Sequence, residues 1–380
     1  MNSLIEKYKE NRIDRIKKLY TKKKLQPHIV IDSFKGNKLD SNCIKIANHL
    51  ANKHQVIFAT NQHEHCWCID PRIKIVEFGS VRHVKYLHSA KVIINNVRYN
   101  KLLNKHPHQT YIQIWHGIPY KKLAFDQTDI SSAWIKTNKY LYLAGFLNEI
   151  NKWDYLFAQN QYTADRFRSC FLYDKKLIQA NYPCDLPSTQ TSQDKILQLK
   201  KNLNIPLDKK IILYTPTFRE YAWDNDKGFL LSGLLPEAFF QKHPDYVFLV
   251  RAHYMINEKF NFGSLSNMID MTNYPFIEDL YQVSDLLITD YSSILFEFAR
   301  FQKPIISYQS DYEEYAQKRG LYDVSLTDMG ITVYTDWNEI RLDFTRNSFL
   351  NDRFGLVREN LIDEIDKIIA EKMDLEGNRS

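Results

Sequence analysis

The sequence predicts an α/β protein built from two consecutive domains of comparable size. Short apolar runs rich in Ile and Val alternate with helix-like stretches, which is the pattern of strands buried on both faces of a parallel sheet. The alternation stops at the polar, proline-containing stretch 186–195 and then restarts. A length of 380 residues with 44% hydrophobic and 25% charged residues also suits about two globular domains.

Ten apolar runs mark the predicted strands. Those of the first half lie at 28–34, 55–60, 73–78, 91–96, 110–117 and 155–160, and those of the second at 209–218, 245–254, 285–293 and 303–309. We interpret 186–195 as the linker and the acidic amphipathic stretch 357–373 as a last helix that covers either domain. The predicted organisation is therefore an N-terminal segment 1–26, α/β domains 27–190 and 191–355, and a C-terminal helix 356–380.

Cysteine use and hydropathy favour a cytoplasmic chain. The five cysteines have no regular spacing, so a disulfide framework is disfavoured and a reducing compartment fits best. No stretch approaches the roughly 18 to 20 uncharged apolar residues that a membrane-spanning helix needs. The first ten residues also lack the apolar core of a secretion signal.

The net charge of +6 is concentrated at the N-terminus. Residues 1–24 hold nine Lys or Arg and three acidic residues, so this segment alone accounts for +6. Its apolar residues fall on one half of a helical wheel and its cations on the other. Such a basic amphipathic helix is typical of attachment to an anionic membrane surface, and the alternative is an ordinary helix packed on the domain. Nucleic acid is disfavoured as a partner because no basic and aromatic interleaving continues this charge elsewhere.

Since ligands of open parallel sheets bind beyond the carboxyl ends of the strands, residues that directly follow the apolar runs are candidates for a functional site. In the first half, the run at 110–117 ends in Trp-His-Gly. The imidazole of His116 is a candidate general base, and the alternative is a hydrogen-bonded structural histidine. Lys121 and Lys122 are candidate phosphate contacts unless they form a solvated surface.

In the second half, three segments qualify. Thr217 and Arg219 follow the run at 209–218, where Arg219 meets either a phosphorylated ligand or a carboxylate of the protein. Arg251 and His253 share one face of the next extended segment. Asp290 ends a later run, and Ser292 and Ser293 then open an apolar helix, where their hydroxyls suit either an anion or ordinary helix capping.

A cluster of metal-ligand residue types lies at 61–68, where two histidines and two cysteines fall within six residues. No second pair at zinc-finger spacing completes a tetrahedral site. We therefore predict no metal here and favour a loop with core cysteines.

Five segments read together resemble the CDP-glycerol glycerophosphotransferase family, whose members prime and polymerise teichoic acids and related phosphate-linked capsule polymers. The segments are WHGIPYKKLAFD (115–126), FAQNQYTADRFRSCF (157–171), ILYTPTFRE (212–220), LVRAHY (249–254) and the long block 279–322, which contains TDYSS, PIIxY and RGxY. The matches run from about residue 91 to 325. The sequence departs from the family pattern at 181–185 and at Tyr254, which bears on the polyol or acceptor more than on the reaction class.

The resemblance implies a GT-B fold, with two Rossmann-like domains facing a central cleft that closes for reaction. The donor, CDP-glycerol, binds mainly to the C-terminal half and a lipid-linked saccharide acceptor to the N-terminal half. The implied catalytic residues are His116 and His253. The donor and phosphate candidates are Arg251, Ser292, Ser293, Asp290, Thr217 and Arg219, and the acceptor-side candidates are Gly117, Lys121, Lys122 and Asp126.

In the mechanism that this implies, His116 takes the proton of an acceptor hydroxyl, which attacks the phosphorus that bears glycerol and releases CMP. Cationic side chains and hydroxyls meet the developing charge, so no metal or other cofactor is required. Because such acceptors are lipid-linked, the basic helix is expected to hold the enzyme on the cytoplasmic face of the membrane, with self-association as a further expectation. Three alternatives remain open: a CDP-ribitol or other CDP-polyol donor, a GT-B nucleotide-sugar glycosyltransferase, and an inactive membrane scaffold.

Overall fold

The computed structural model describes residues 13–20, 23–128, 138–184, 192–217, 219, 223–224, 228–229, 237–252, 265–345, 347–350 and 352–374. These residues fall into two compact units. The first unit lies within Met1–His116, Leu143–Cys184 and Leu356–Ser380, and the second within Gly117–Tyr142 and Asp185–Gly355. The chain therefore passes from the first unit to the second between His116 and Gly117, returns, and crosses again near residue 184.

In the described part of the first unit, seven parallel strands form one sheet in the order β3-β2-β1-β4-β5-β6-β7. Their bounds are β1 Gln26–Asp32, β2 Gln55–Ala59, β3 Lys74–Val76, β4 Ala90–Asn95, β5 Thr110–Gln113, β6 Tyr155–Ala158 and β7 Lys176–Gln179. The six strands predicted from the first-half runs are confirmed. The prediction missed β7, whose four residues KLIQ are too short and too polar to be recognised as an apolar run.

Three helices of this unit begin where a side chain caps the free backbone amides. The helix bounds are α1 13–20, α2 Ser41–Leu50, α3 Val81–Ser89, α4 Lys139–Ile150, which starts in the second unit, and α5 Gln161–Phe171. Asp40 caps α2, Ser80 caps α3 and Asn160 caps α5, each by accepting a hydrogen bond from a backbone amide three residues on. Local capping thus sets the start of α2, α3 and α5.

The last helix, α11 (Leu361–Asp374), packs on the first unit. Its apolar face buries Leu361 and Ile365, and Asp366 on its side is 2.9 Å from Nε2 of His49 in α2. The side chain of Asn181 accepts a hydrogen bond from the backbone amide of Val357, which fixes the segment that leads into the helix. The predicted C-terminal helix is confirmed, and the structure assigns it to the first unit.

In the described part of the second unit, six parallel strands form a sheet in the order β12-β11-β8-β13-β14-β15. Their bounds are β8 Lys210–Thr215, β11 Tyr246–Val250, β12 Met268–Asp270, β13 Leu286–Thr289, β14 Ile305–Tyr308 and β15 Thr332–Tyr334, and β9 Trp223–Asp224 pairs with β10 Gly228–Phe229 apart from it. The helices are α6 Gln193–Asn202, α7 Glu237–Gln241, α8 Ile277–Val283, α9 Ile294–Ala299 and α10 Tyr312–Arg319. The four predicted strands are present, and the prediction missed the three-residue strands β12 and β15 and the two-residue strands β9 and β10.

Both sheets have the strand order of a doubly wound fold. Counted along the chain, the first and fourth strands of each sheet are neighbours, and the later strands are added on opposite sides of this pair. Ligands of such sheets bind at this switch point, beyond the carboxyl ends of the two central strands. The relevant strands are β1 and β4 in the first unit and β8 and β13 in the second.

The N-terminal helix contradicts part of the sequence interpretation. Ile16 is buried as expected, but Lys17 is also buried and donates to the carbonyl of Lys101 at 2.7 Å, although the helical wheel placed it with the solvated cations. Leu19 is 55% exposed. Ile13 and Tyr20, which were also predicted on the apolar face, are half-buried. Leu4, Ile5 and Tyr8 of the predicted face lie outside the described part of the chain.

One further prediction, the position of the linker, is adjusted by the structure. The predicted linker overlaps the start of α6 at Gln193, where Ser192 caps the helix by accepting from the Lys195 amide. Across the described ranges, no helix has the length and apolar character needed to cross a membrane.

Candidate active site

In the first unit, the candidate residue His116 lies in the turn that follows β5. His116 is exposed there, and its Nδ1 lies 2.6 Å from the carbonyl oxygen of Asn96, which directly follows β4. The ring of Trp115 stacks on the imidazole at 4.5 Å, and the ring of Phe34 lies 5.3 Å away. The imidazole is therefore held at the switch point of the first sheet.

The turn before His116 is held by buried polar groups. The Trp115 backbone has a positive φ of 55° and donates its amide to Oε1 of Gln113 at 2.8 Å. Gln113 is fully buried and also donates to Asn95 at 3.0 Å. Tyr182 donates its hydroxyl to the carbonyl of Ile114. The backbone strain of this turn costs roughly 1–3 kcal/mol, and these hydrogen bonds offset that cost.

In the second unit, the candidate residues lie at the switch point of the sheet. Asp290, at the end of β13, accepts the amide of Thr217 at 2.9 Å and Nη1 of Arg219 at 2.9 Å. It also accepts the amide of Tyr291 at 2.7 Å. The carboxylate thus joins the loop after β8 to the loop after β13, a structural role that leaves little capacity for contact with an anionic ligand.

Arg219 lies in a closed ion-pair network. It forms a bidentate pair with Asp311 at 2.6 and 2.9 Å, and its guanidinium lies about 5 Å from the stacked rings of Tyr291 and Tyr315. Burial would lower the Arg219 pKa, but the charges of Asp290 and Asp311 outweigh it and hold the pKa above its usual value. Of the two partners predicted for Arg219, the structure shows the protein carboxylates. Contact of Arg219 with a phosphate remains a prediction.

Arg251 and Thr217 present buried polar atoms that the described residues do not satisfy. Arg251 follows β11 and is 7% exposed, and its Nη1 has no hydrogen-bond partner in the described ranges. The same is true of Oγ1 of Thr217, which is 6% exposed. Burial lowers the Arg251 pKa, because the charged form loses water. A phosphate oxygen is a strong hydrogen-bond acceptor for a guanidinium N–H that has no partner.

Ser292 and Ser293 lie between β13 and the short helix α9. Ser292 Oγ accepts the amide of Ile294 at 3.3 Å, whereas Ser293 makes no side-chain capping bond. Gly117 approaches this turn with a φ of 111°, and a Cβ built on it would stand 3.2 Å from Ser293 Oγ. Because Gly117 has no side chain, it leaves room for Ser293, and both residues belong to the second unit.

The remaining acceptor-side candidates lie in the second unit, on the segment 120–126, which runs along residues 319–322. Lys121 forms an antiparallel bridge with Leu321, and Arg319 donates to the carbonyl of Lys122 at 2.5 Å. Tyr322 donates its hydroxyl to Asp126 at 2.6 Å. Two of the motifs read from the sequence, WHGIPYKKLAFD and RGxY, are therefore paired with each other.

The sequence also contains a second catalytic candidate and a cluster of His and Cys residues at 61–68. His253 lies outside the described residues. The segment His63–Cys68 is a 3-10 helix in which Cys66 and Cys68 donate to carbonyls of Gln62 and His65. In the part of the chain that the structure describes, no group of three His, Cys, Asp or Glu side chains could hold a metal ion.

Sequence reasoning missed the residues that support these candidates. Asn96 and Phe34 contact His116 from strands far away in the sequence, and Asp311 pairs with Arg219 across 92 residues. The sequence did contain one indication of this role. Asn95 and Asn96 end the apolar run at 91–96, and asparagine side chains are seldom buried without a specific role. Asp311 and Phe34 carry no comparable local signal.

Comparison with known proteins agrees with these features. The family model described as CDP-Glycerol:Poly(glycerophosphate) glycerophosphotransferase matches residues 15–348. The chain is 32% identical to the teichoic acid poly(glycerol phosphate) polymerase of Bacillus subtilis (strain 168), over 77% of this chain and 40% of that protein. It is 32% identical to the teichoic acid glycerol-phosphate transferase of Staphylococcus aureus (strain NCTC 8325 / PS 47), over 85% of this chain and 84% of that protein.

A solved structure gives the same result for the fold. The wall teichoic acid polymerase TagF, in a variant soaked with CDPG, matches with a TM-score of 0.82 at 27% identity, covering 97% of each chain. The predicted GT-B class of α/β fold is thereby confirmed. The chain spans less than half of the Bacillus subtilis polymerase that it matches. The two doubly wound sheets, the paired motifs and the extent of the family match show that this chain belongs to the CDP-glycerol:poly(glycerophosphate) glycerophosphotransferase family.

Proposed function

We propose that this chain transfers glycerol phosphate from CDP-glycerol to a hydroxyl of a lipid-linked acceptor in the synthesis of a teichoic-acid-like or capsular polymer, and releases CMP. The observation that carries the proposal is the buried Arg251, whose Nη1 has no partner in the described ranges. It lies in the same unit as Thr217, Ser292 and Ser293, which offer further donors. Family membership and the names of the glycerol-phosphate relatives support CDP-glycerol as the donor.

The reaction is an in-line transfer at the phosphorus that bears glycerol. His116 accepts the proton of the acceptor hydroxyl at Nε2 while its oxygen bonds to that phosphorus. The bond from phosphorus to the oxygen of CMP breaks, and CMP leaves with the electron pair. Arg251 and the two serine hydroxyls stabilise the charge that develops on the phosphates. His253 remains a proposed contributor to this stabilisation.

No cofactor has a role in this mechanism. The charge that Mg²⁺ neutralises in many phosphoryl transferases is met instead by the guanidinium of Arg251, by hydroxyl groups and by the proposed His253. Addition of a chelator to the assay is therefore expected to leave CMP release unchanged. A loss of activity that Mg²⁺ restores would contradict this part of the proposal.

Exposed apolar side chains support attachment to a membrane surface. In α4, Tyr140 is 78% exposed and Leu141 is 67% exposed, and Leu19 of α1 is 55% exposed beside lysines. We propose that these side chains bring the enzyme to the cytoplasmic face of the membrane, where a lipid-linked acceptor is reached. Liposome flotation of Leu141→Glu and Leu19→Glu is expected to show weaker binding to anionic vesicles, with Leu207→Glu as control because Leu207 is 47% exposed on a loop of the second unit. Unchanged flotation of both variants would contradict membrane attachment through these residues.

The defining experiment measures CMP release by the purified protein with CDP-glycerol or CDP-ribitol, each with and without a lipid-linked acceptor analogue. Acceptor-dependent CMP from CDP-glycerol supports the proposal. Release only from CDP-ribitol identifies the other polyol, and release of UDP or GDP from a nucleotide sugar identifies a glycosyltransferase. His116→Ala is expected to lower turnover about 100-fold or more, the usual range for loss of a general base. Near-normal turnover of a folded His116→Ala protein would eliminate the base assignment.

A further inference from the structure

The loop that follows β1 has a strained backbone beside His116. Phe34, Lys35 and Gly36 have successive positive φ angles of 47°, 55° and 76°. Left-handed conformations cost a residue other than glycine about 1–2 kcal/mol each. Such strain persists only where the surroundings over-determine it, and it concentrates at functional sites.

The surroundings do hold this loop in place. Ser33 Oγ donates to the carbonyl of Lys38 and accepts the amide of Asp40 at 3.2 Å, so the serine closes the loop on itself. Gly36 fits where a Cβ would stand 2.5 Å from Cβ of Phe78. Its carbonyl accepts the amide of Asn61 at 2.9 Å. The conformation is therefore specified from both sides.

Asn96 joins the strained loop to the imidazole. It is fully buried directly after β4, and its side-chain Oδ1 accepts the amide of Phe34 at 2.9 Å. Because a backbone amide can only donate, the amide oxygen and not the nitrogen must face Phe34. The backbone carbonyl of the same Asn96 lies 2.6 Å from Nδ1 of His116. One residue thus contacts both the loop and the histidine.

These contacts also determine which nitrogen of His116 carries the proton. A carbonyl oxygen can only accept, so the 2.6 Å contact requires a proton on Nδ1. In the neutral imidazole the lone pair then belongs to Nε2, which is the nitrogen that a general base uses in the proposed reaction. The rings of Trp115 and Phe34 limit rotation of the imidazole about this bond.

We propose that Asn96 is a positioning residue that holds His116 as the Nδ1-protonated tautomer, and that the strained loop 33–38 maintains the position of Asn96 through Phe34. The proposal rests on His116 being the base of the proposed function. It assigns no substrate contact to Asn96, which acts only through the imidazole. Loss of the Asn96 side chain is therefore expected to let the loop and the Asn96 backbone relax, so that the imidazole samples both tautomers.

The kinetic test is a double-mutant cycle on the full chain. Asn96→Ala is expected to lower kcat about tenfold to 100-fold with little change in KM for CDP-glycerol, because the base is misplaced while the donor site in the second unit is intact. In a His116→Ala background the same substitution is expected to have no further effect. An equal loss in both backgrounds would overturn the proposal, because Asn96 would then act independently of His116.

A matched control separates positioning from general loss of structure. Asn48 also anchors a loop of the first unit, since its side chain accepts the amide of Asp70 at 2.9 Å and donates to the carbonyl of Cys68 at 3.0 Å. Asn48→Ala is expected to destabilise the protein to a similar degree and to keep kcat. If both alanine variants lose kcat in proportion to their loss of stability, Asn96 has only a structural role and the proposal is overturned.

A spectroscopic test does not depend on activity. In protein labelled with ¹⁵N-histidine, the His116 resonances are assigned by their absence in His116→Ala, and the ¹⁵N shifts report the tautomer. The wild-type protein is expected to show a protonated Nδ1 and an unprotonated Nε2, and Asn96→Ala a mixture of the two. A mixed tautomer in the wild type, or an unchanged tautomer in Asn96→Ala, would overturn the positioning proposal. If instead the tautomer responds as expected but His116→Ala turns over normally, the base assignment fails and the positioning finding remains.

Discussion

A Cβ added to Gly117 would stand 3.2 Å from Oγ of Ser293 and 3.5 Å from Oε1 of Glu297. The glycine also has a φ of 111°, which favours glycine over any other residue. Gly117→Ala is therefore expected to displace the Ser293 turn by a few tenths of an ångström and to lower CMP release about tenfold or more.

Gly79→Ala is the matched control for that prediction. Gly79 has a φ of 76°, but a Cβ built on it meets nothing within 4 Å. Both substitutions incur backbone strain of about 1–2 kcal/mol, which thermal unfolding measures, and only Gly117→Ala is expected to lose activity. Normal turnover of Gly117→Ala would show that the close approach to Ser293 is not needed for the reaction.

The second prediction concerns the Arg219 network. Arg219→Met leaves Asp290 buried without its ion-pair partner, so the free energy of unfolding is expected to fall by about 3–5 kcal/mol. Arg72→Met removes the exposed pair with Asp70 and is expected to cost less than about 1 kcal/mol. Urea denaturation measures both values. Normal stability of Arg219→Met together with a raised KM for CDP-glycerol would instead assign Arg219 to the donor.

The third prediction is a pH dependence of stability that originates at Asp32. Its carboxylate is fully buried at the end of β1, and the polar side chains of Tyr99 and Asn95 offset the effect of burial on its pKa only in part. Burial raises the pKa of Asp32 to about 7 from the 3.8 of an accessible carboxyl. Between these two values the folded state binds more protons than the unfolded state, so this group makes stability fall as pH rises from about 4 to about 7.

Asp32→Asn removes this titration. The variant is expected to gain stability relative to the wild type by about 2–3 kcal/mol between pH 5 and pH 8, because the wild type must bury a charge at the higher pH. Denaturation curves of both proteins at the two pH values give the difference, in which the other titrating groups cancel. A difference that does not change with pH would show that Asp32 has an ordinary pKa in the folded protein.

The fourth prediction tests the pairing of segment 120–126 with residues 319–322. Tyr322→Phe removes the 2.6 Å hydrogen bond to Asp126 and is expected to lower the free energy of unfolding by about 1–3 kcal/mol. Asp126→Asn is expected to show a similar loss, and the double variant less than the sum, because both remove one contact. Tyr140→Phe is the control, since Tyr140 is 78% exposed. If Asp126→Asn keeps its stability and raises KM for the acceptor, Asp126 contacts the acceptor instead.

Most of the strands that the sequence predicted have side chains buried on both faces, and β3 is an exception because Val76 alone of its three residues is buried. Residues Ile29 to Ile31 and Leu286 to Ile288 are completely buried, so continuous apolar runs were a reliable signal there. In the two parallel sheets, the missed strands β7, β12 and β15 lie at the ends, where one side of each strand is unpaired in the sheet order and the strand has only three or four residues. Local composition does not distinguish such short edge strands from loops.

The sequence by itself determined the class of fold and the family, because both depend on features that are local along the chain. Burial in parallel strands leaves apolar runs, and the family motifs keep their residue types in order. Only the tertiary structure decided what each candidate contacts: Arg219 meets Asp311, Asp126 meets Tyr322, and His116 meets Asn96. These partners lie 20 to 196 residues apart. Hydrogen bonds and ion pairs over such separations depend on how strands are ordered in a sheet, which residue types and spacing do not encode locally.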